Sequence, residues 1–139
     1  MNGAANTVGI DLVHIPSFAE QLALPGSRFH TVFSPRELRL AADHPRKDEH
    51  LAGRWAAKEA FIKAWSAANY GEPPALSEQA LNLAEIEVVP DRWGRPHIEL
   101  RGEVAKLSGH SVAQVSISHD GPFATAICML SDAPSAPSP

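Results

Sequence analysis

What the chain lacks narrows its possibilities first. A single cysteine, Cys128, stands among 139 residues, so no intrachain disulfide can form, and the apolar run around it marks a core position. No apolar stretch approaches the roughly 18 residues needed to cross a bilayer. Met1 to Thr7 has neither the basic nor the apolar region of a signal peptide, and a cytoplasmic protein is expected. Cysteine and histidine do not cluster at zinc-binding spacing. The phosphate-loop pattern G-x-x-x-x-G-K-[ST] and the nucleophile elbow G-x-S-x-G are both missing, and there is no internal repeat.

What remains is the composition of a globular protein, 44% hydrophobic and 20% charged. The length suits one domain over residues 1–131, followed by a Pro-, Ser- and Ala-rich tail, 132–139, expected to be disordered. The net charge of −4 is unevenly spread. From Arg28 to Lys63 eight basic residues face five acidic ones, a local +3, while the rest of the chain carries −7. A basic segment in an acidic chain suggests an anionic ligand or partner there, although an ordinary solvated helix face also fits.

Overlapping that segment is one stretch, about Asp48 to Asn69, rich in Ala, Leu, Glu and Lys and free of proline, which predicts a long helix. Leu51, Trp55, Ile62 and Trp65 recur as an apolar stripe, and Asp48 and Glu49 suit its first turn. Arg54, Lys58, Glu59 and Lys63 lie within about two and a half turns. Glu59 and Lys63, four apart, are placed to form a local ion pair, the plain alternative to a functional role.

Around this helix the chain alternates. Val8–Val13 reads as a buried strand holding a carboxylate, Asp11. A short helix over 18–24 is predicted with Ser17 as its cap, and a second helix opens at Ser34-Pro35-Arg36-Glu37, where a serine cap, a first-turn proline and a glutamate three on form a capping box. Residues 83–89, 96–100 and 112–118 read as strands, with 103–107 a short helix between the last two. Phe123–Leu130 is nearly continuous apolar and reads as a strand suited to burial. The order is mixed, and the predicted class is α+β, one long helix packed on a mainly antiparallel sheet.

Asp11 on a strand and Glu59 on the helix are together suited to a hard cation such as Mg²⁺, which takes one or two carboxylates and completes its shell with water and substrate phosphates. Asp11 bonded only to nearby backbone amides is the alternative. His119 closes the segment Ser116-Ile117-Ser118-His119, and Gly94-Arg95-Pro96 by itself is only a turn.

These segments together resemble the holo-acyl-carrier-protein synthases, small 4′-phosphopantetheinyl transferases. The resemblance is carried by Gly9-Ile10-Asp11-Leu12-Val13, by Arg54-Trp55-Ala56-Ala57-Lys58-Glu59-Ala60 with Lys63 beyond it, and by Ser116-Ile117-Ser118-His119. Phe33 to Glu37 and Trp93 to Pro96 add to it, and the likeness spans about residues 7–130. It implies the family's fold and Mg²⁺-dependent transfer of the phosphopantetheine arm of coenzyme A to a serine of apo acyl carrier protein, or of a carrier domain in a fatty-acid synthase, releasing adenosine 3′,5′-bisphosphate. By the same resemblance Asp11 and Glu59 hold Mg²⁺, and Glu59 or a metal-bound water serves as base. Lys63 meets the phosphates, and Arg54 and His119 face the 3′-phosphate and ribose. Arg95 and Pro96 line the nucleotide, with Lys58, Ser66 and Ser118 also among the coenzyme A contacts.

A homotrimer with sites at subunit interfaces is implied, with no nucleic-acid or membrane partner. His14 and Pro16-Ser17-Phe18 depart from the family, which commonly has Glu at the first of these and often an arginine just beyond Ile15; carrier docking is what this affects. A non-catalytic nucleotide-binding module and a metal-dependent phosphoesterase using the same carboxylates are the competing readings.

Overall fold

The computed structural model describes residues 6–133, so the expected disordered tail from residue 134 onward lies outside the described residues. Strand β1 (Thr7–His14) leads into α1 (Ile15–Ala23), a 3-10 turn (Phe29–Val32) and α2 (Pro35–Ala42). Then come the long α3 (Lys47–Ala68), a second 3-10 turn (Leu83–Glu85), the hairpin β2 (Ile86–Pro90) and β3 (Pro96–Leu100), α4 (Gly102–Leu107), and the closing pair β4 (Val112–Asp120) and β5 (Phe123–Ser131). Strands β1, β5 and β4 form an antiparallel sheet with β5 in the middle, and β2 and β3 form a separate two-stranded ribbon. The class is α+β, as the residue pattern predicts.

The capping box forms as expected: Ser34 Oγ accepts from the Glu37 amide, and Glu37 Oε1 accepts from the Ser34 amide at 2.7 Å. At α1 the cap differs from the prediction. His14, not Ser17, caps it, its Nδ1 accepting from the Ser17 amide and lying 2.7 Å from Ser17 Oγ. The helix can therefore start three residues earlier, with Pro16 in its first turn, where a missing amide hydrogen costs nothing. The predicted strand over 83–89 begins as a 3-10 turn because Asn82 Oδ1 takes the Ala84 amide, and only Ile86–Pro90 pairs with β3.

Helix α3 lies against the three-stranded sheet, and its stripe is wider than the sequence suggested. Leu51, Ala52, Gly53, Ala56, Ala57, Ala60, Phe61, Ala64 and Trp65 are all buried. The alanines allow the strands to approach closely. At the tightest point β1 meets the helix backbone itself: a Cβ on Gly9 would overlap the Ala60 carbonyl oxygen and sit 2.6 Å from the Ala64 amide nitrogen. Thr7 Oγ1 also donates to the Ala64 carbonyl at 2.7 Å. Cys128 is buried as expected, and burial pushes its thiol up to about 11.

β5 is not covered on both sides. Ala124, Ala126, Cys128 and Leu130 face α3, while Phe123, Ile127 and Met129 face outward beside Val8, Ile10 and Leu12 of β1 and Val112 of β4. Ile10 and Leu12 are 62% and 65% exposed. The expected burial thus holds for one face only: the continuous apolar run reflects two apolar faces, one of them open to solvent in the single chain. None of the helices of the described residues is long and apolar enough to cross a membrane.

Candidate active site

Asp11 stands on the inward face of β1, two residues beyond Gly9, so the backbone contact that requires glycine also sets its distance from α3. There it meets Lys63. The ammonium of Lys63 donates to Asp11 Oδ1 at 3.0 Å and to the Ile10 carbonyl at 3.0 Å. Lys63 remains half open to solvent while the Asp11 side chain is 16% exposed. The local Glu59–Lys63 pair suggested by spacing is not made, because the strand supplies two acceptors for Lys63 in its place.

Glu59 is left without a hydrogen-bond donor among the described residues. Burial and then the nearby Asp11 carboxylate raise its carboxyl above the usual carboxylate range, with Lys63 acting in the opposite sense. Two carboxylates that repel each other beside one shared ammonium suit a further cation. Among the described residues no group of three or more Asp, Glu, His or Cys is placed to hold a metal ion. The donor set is therefore too small for a closed protein cage and matches an ion that keeps water and substrate oxygens in its shell.

Asp11 and Glu59 open onto a cleft of about 440 Å³ whose other walls include Val13, His14, Ser17, Phe18, Phe29 and Trp55. Trp55 packs edge-on against Phe29, ring centres 4.8 Å apart, and Phe29 packs in turn on Phe18 of α1 at 5.4 Å, which fixes this wall.

Arg54 lies on α3 about one turn before Lys58. Burial lowers its pKa, opposed by Glu37, and no acceptor among the described residues bonds its guanidinium. His119 reaches the same part of the helix from the end of β4: a Cβ on Gly53 would lie 2.8 Å from its Nε2. The residue before Arg54 must be small for this imidazole to seat against α3.

Lys58 departs from its expected place among the coenzyme A contacts. Its side chain is 0% exposed. All three ammonium protons are taken, by Glu37 Oε1 at 2.9 Å, the Leu83 carbonyl at 3.0 Å and the Ile86 carbonyl at 2.7 Å. Glu37 Oε2 in turn accepts from the Val88 amide at 2.8 Å. Burial lowers the Lys58 pKa and the Glu37 carboxylate opposes it. Lys58 ties α2, α3 and β2 together and has no proton left for a ligand.

The remaining predicted residues lie apart from the two carboxylates within one chain. Ser66 lines a second cavity, of about 310 Å³, between the end of α3 and the 72–81 loop, with Trp65, Asn69 and Leu76. Arg95 is exposed at the β2–β3 turn and bonded to Asp91, and its guanidinium and that of Arg92 each lie over the Trp93 ring. Pro96 borders a shallow cavity shared with β4, not with α3 or β1. Ser118, one residue before His119, faces the outward side of the sheet, opposite to His119, as strand alternation demands. Two further histidines that no motif marked, His44 and His50, stand near Arg54, their ring centres 4.6 Å apart.

Residues 7–128 match the model of the 4′-phosphopantetheinyl transferase superfamily. The chain is 54% identical over 131 residues to the holo-[acyl-carrier-protein] synthase of Corynebacterium efficiens, covering 90% of this chain and 93% of that one. Among solved structures it is similar to the Chronobacterium ammoniagenes synthase in complex with coenzyme A, at 57% identity and a TM-score of 0.89, covering 94% and 99% of the two chains. The acyl carrier protein synthase of Mycobacterium tuberculosis superposes with a TM-score of 0.74 at 42% identity, covering 92% and 97%.

Proposed function

Because the chain belongs to the 4′-phosphopantetheinyl transferase superfamily, we propose that it acts as a holo-[acyl-carrier-protein] synthase, moving the phosphopantetheine arm of coenzyme A to a serine of an apo acyl carrier protein and releasing adenosine 3′,5′-bisphosphate. The observation that carries the site reading is the unpartnered Glu59 carboxyl beside Asp11, with Lys63 held between strand and helix.

Asp11 and Glu59 are the residues that would hold Mg²⁺. When bound, that ion supplies charge compensation and a template at the pyrophosphate being cleaved. Lys63, half exposed and already at the carboxylates, binds the phosphates as a point charge and steadies the leaving bisphosphate. Glu59 is also the candidate acceptor for the proton of the carrier serine, its raised pKa bringing it nearer to neutral pH than an ordinary carboxyl. Arg54, with its guanidinium unclaimed, and His119 bind the 3′-phosphate. Phe18, Phe29 and Trp55 give the cleft an apolar wall against which the arm can lie.

Assembly completes the site in this reading. The outward apolar face of the sheet, with Val8, Ile10, Leu12, Ile127 and Met129 exposed together, is what a subunit interface buries. A homotrimer joined there brings Arg95, Pro96 and Ser118 of one subunit toward the nucleotide held by its neighbour, which accounts for their distance from Asp11 within one chain. The carrier is acidic in the family reading, and the basic segment from Arg28 to Lys63 steers it. Helix α1 carries no basic residue, so its share of docking is apolar and hydrogen-bonded, through His14, Ser17 and Gln21.

Intact-mass measurement tests the activity. Incubation with apo acyl carrier protein, coenzyme A and Mg²⁺ is expected to add one phosphopantetheine to the carrier, and EDTA is expected to prevent it. No mass gain on a free carrier or on an excised synthase carrier domain would overturn the assignment.

A further inference from the structure

The N-terminal third of α3 and the segments around it concentrate groups that can carry positive charge. His50 is half-buried in the first turn of α3, one turn before Arg54. His44, from the α2–α3 connection, lies against it with ring centres 4.6 Å apart. The Arg46 amide donates to His44 Nδ1 at 3.0 Å, so a neutral His44 carries its proton on Nε2. His119 comes from β4 and seats at Gly53. The carboxylates nearby are committed elsewhere: Glu49 pairs with Arg46 at 3.6 Å, and Glu37 of α2, which acts on Arg54, is bonded to Lys58. Among the described residues no ion pair reaches His44, His50, Arg54 or His119. Asp120, next to His119, is exposed at the strand end.

We propose that His50 takes up a proton when the 3′-phosphate of coenzyme A seats on Arg54, which makes this anion site proton-coupled. The coupling rests on the placement of the 3′-phosphate proposed above. In the free chain burial, then Arg54, His44 and His119, hold His50 down to about 4, so it is neutral near neutral pH. A phosphate monoester brings about −1.5 to −2 charges to the same spot near pH 7, and about −1 in the acid range where His50 titrates. It offsets Arg54 and makes the imidazolium less unfavourable, so the His50 midpoint rises.

The direction of the coupling follows. His50 has a higher pKa with coenzyme A bound than without it. Its contribution to affinity is therefore absent above the bound value, grows as pH falls through it, and levels off near the free value of about 4. A bound midpoint one pH unit above the free one corresponds to about a tenfold gain in affinity. Dephospho-coenzyme A, lacking the 3′-phosphate, does not engage the switch.

Histidine ring signals in the labelled wild-type protein provide the test, with His50→Gln used only to assign the His50 resonance. The titration is followed alone, with coenzyme A and with dephospho-coenzyme A, in Mg²⁺ and without a carrier. The expected result is a His50 midpoint raised by about one pH unit or more with coenzyme A and left in place by dephospho-coenzyme A. If the chain does not remain folded down to the free midpoint, a mostly neutral His50 at about pH 5 without ligand and about half protonation or more with coenzyme A support the proposal equally. An unchanged midpoint overturns it. Arg54→Ala separates the phosphate placement from the coupling by binding of the same two ligands. A selective loss for coenzyme A with no movement of His50 leaves the phosphate placement standing and removes the coupling. Equal losses for both ligands remove the placement, and the coupling with it.

Discussion

Lys58→Met separates a structural lysine from a cofactor contact. The substitution keeps most of the apolar stem and removes an ammonium that is 0% exposed and satisfied by three acceptors. It leaves the Glu37 carboxylate charged among α2, α3 and β2 with two amide donors but no counter-ion, Arg54 being close enough to act on it without bonding. Removing one partner of a buried pair costs about 3–5 kcal/mol, more than the pair itself contributes over an apolar replacement. For a chain of this size such a loss lowers the melting temperature by roughly 10 °C or more. Pairing it with Glu37→Gln removes the stranded charge, and the double variant is expected to recover at least about 1 kcal/mol relative to the simple sum. Urea unfolding of the four proteins supplies the cycle. Coenzyme A affinity, measured well below the transition, is expected to stay within about threefold of wild type, since the Lys58 side chain is closed to solvent and its ammonium fully bonded. A stable variant whose coenzyme A affinity had fallen tenfold would refute this reasoning and restore Lys58 as a ligand contact.

Other perturbations address the site directly. Glu59→Gln is expected to lower transfer by at least about 100-fold, more than is usual for an outer partner of a metal site, with secondary structure by circular dichroism unchanged; near-normal turnover would remove Glu59 from the cation site. Because the Glu59 pKa is raised, its anionic form is lost at a higher pH than that of an ordinary carboxyl, so Mg²⁺ affinity should weaken as pH falls through that raised value, with a proton released on binding. Gly9→Ala is expected to cost about 3 kcal/mol or to prevent folding, since the methyl meets helix backbone that cannot swing aside; a thermal unfolding curve close to wild type would contradict the close approach. Ile10→Lys on the open face should leave the fold intact and shift the mass seen by light scattering from that of the proposed trimer toward monomer, whereas an unchanged mass would place the interface elsewhere.

Much of the fold was legible because its signals are local. The capping box at Ser34 and the turn-bounded strand β3 each depend on residues within a few positions. Several misreadings involve partners far away in the chain. Glu59 and Lys63 are neighbours on one helix face, yet Lys63 bonds to Asp11, 52 positions earlier, because β1 offers a carboxylate and a carbonyl together. Lys58 reads as a surface cation until Glu37 and two β2-side carbonyls are brought over it. The apolar run of β5 cannot reveal whether both faces are covered inside one chain or one is left for a neighbour. His44 and His50 belong to no pattern of spacing; only the turn at Pro45 brings their rings together.

The glycine contact between β1 and α3 also has a mechanical meaning. Asp11 and Glu59 come from elements 48 positions apart, and what sets their separation is main chain resting on main chain at Gly9, Ala60 and Ala64. Side chains interleaved between a strand and a helix act as a cushion, whose thickness changes whenever one of them changes rotamer. Here the cushion is missing, so the two carboxylates are gauged like marks on two rulers clamped edge to edge. Substitutions elsewhere in the core can loosen the molecule without altering that gap, whereas one added methyl at the clamp would spread it.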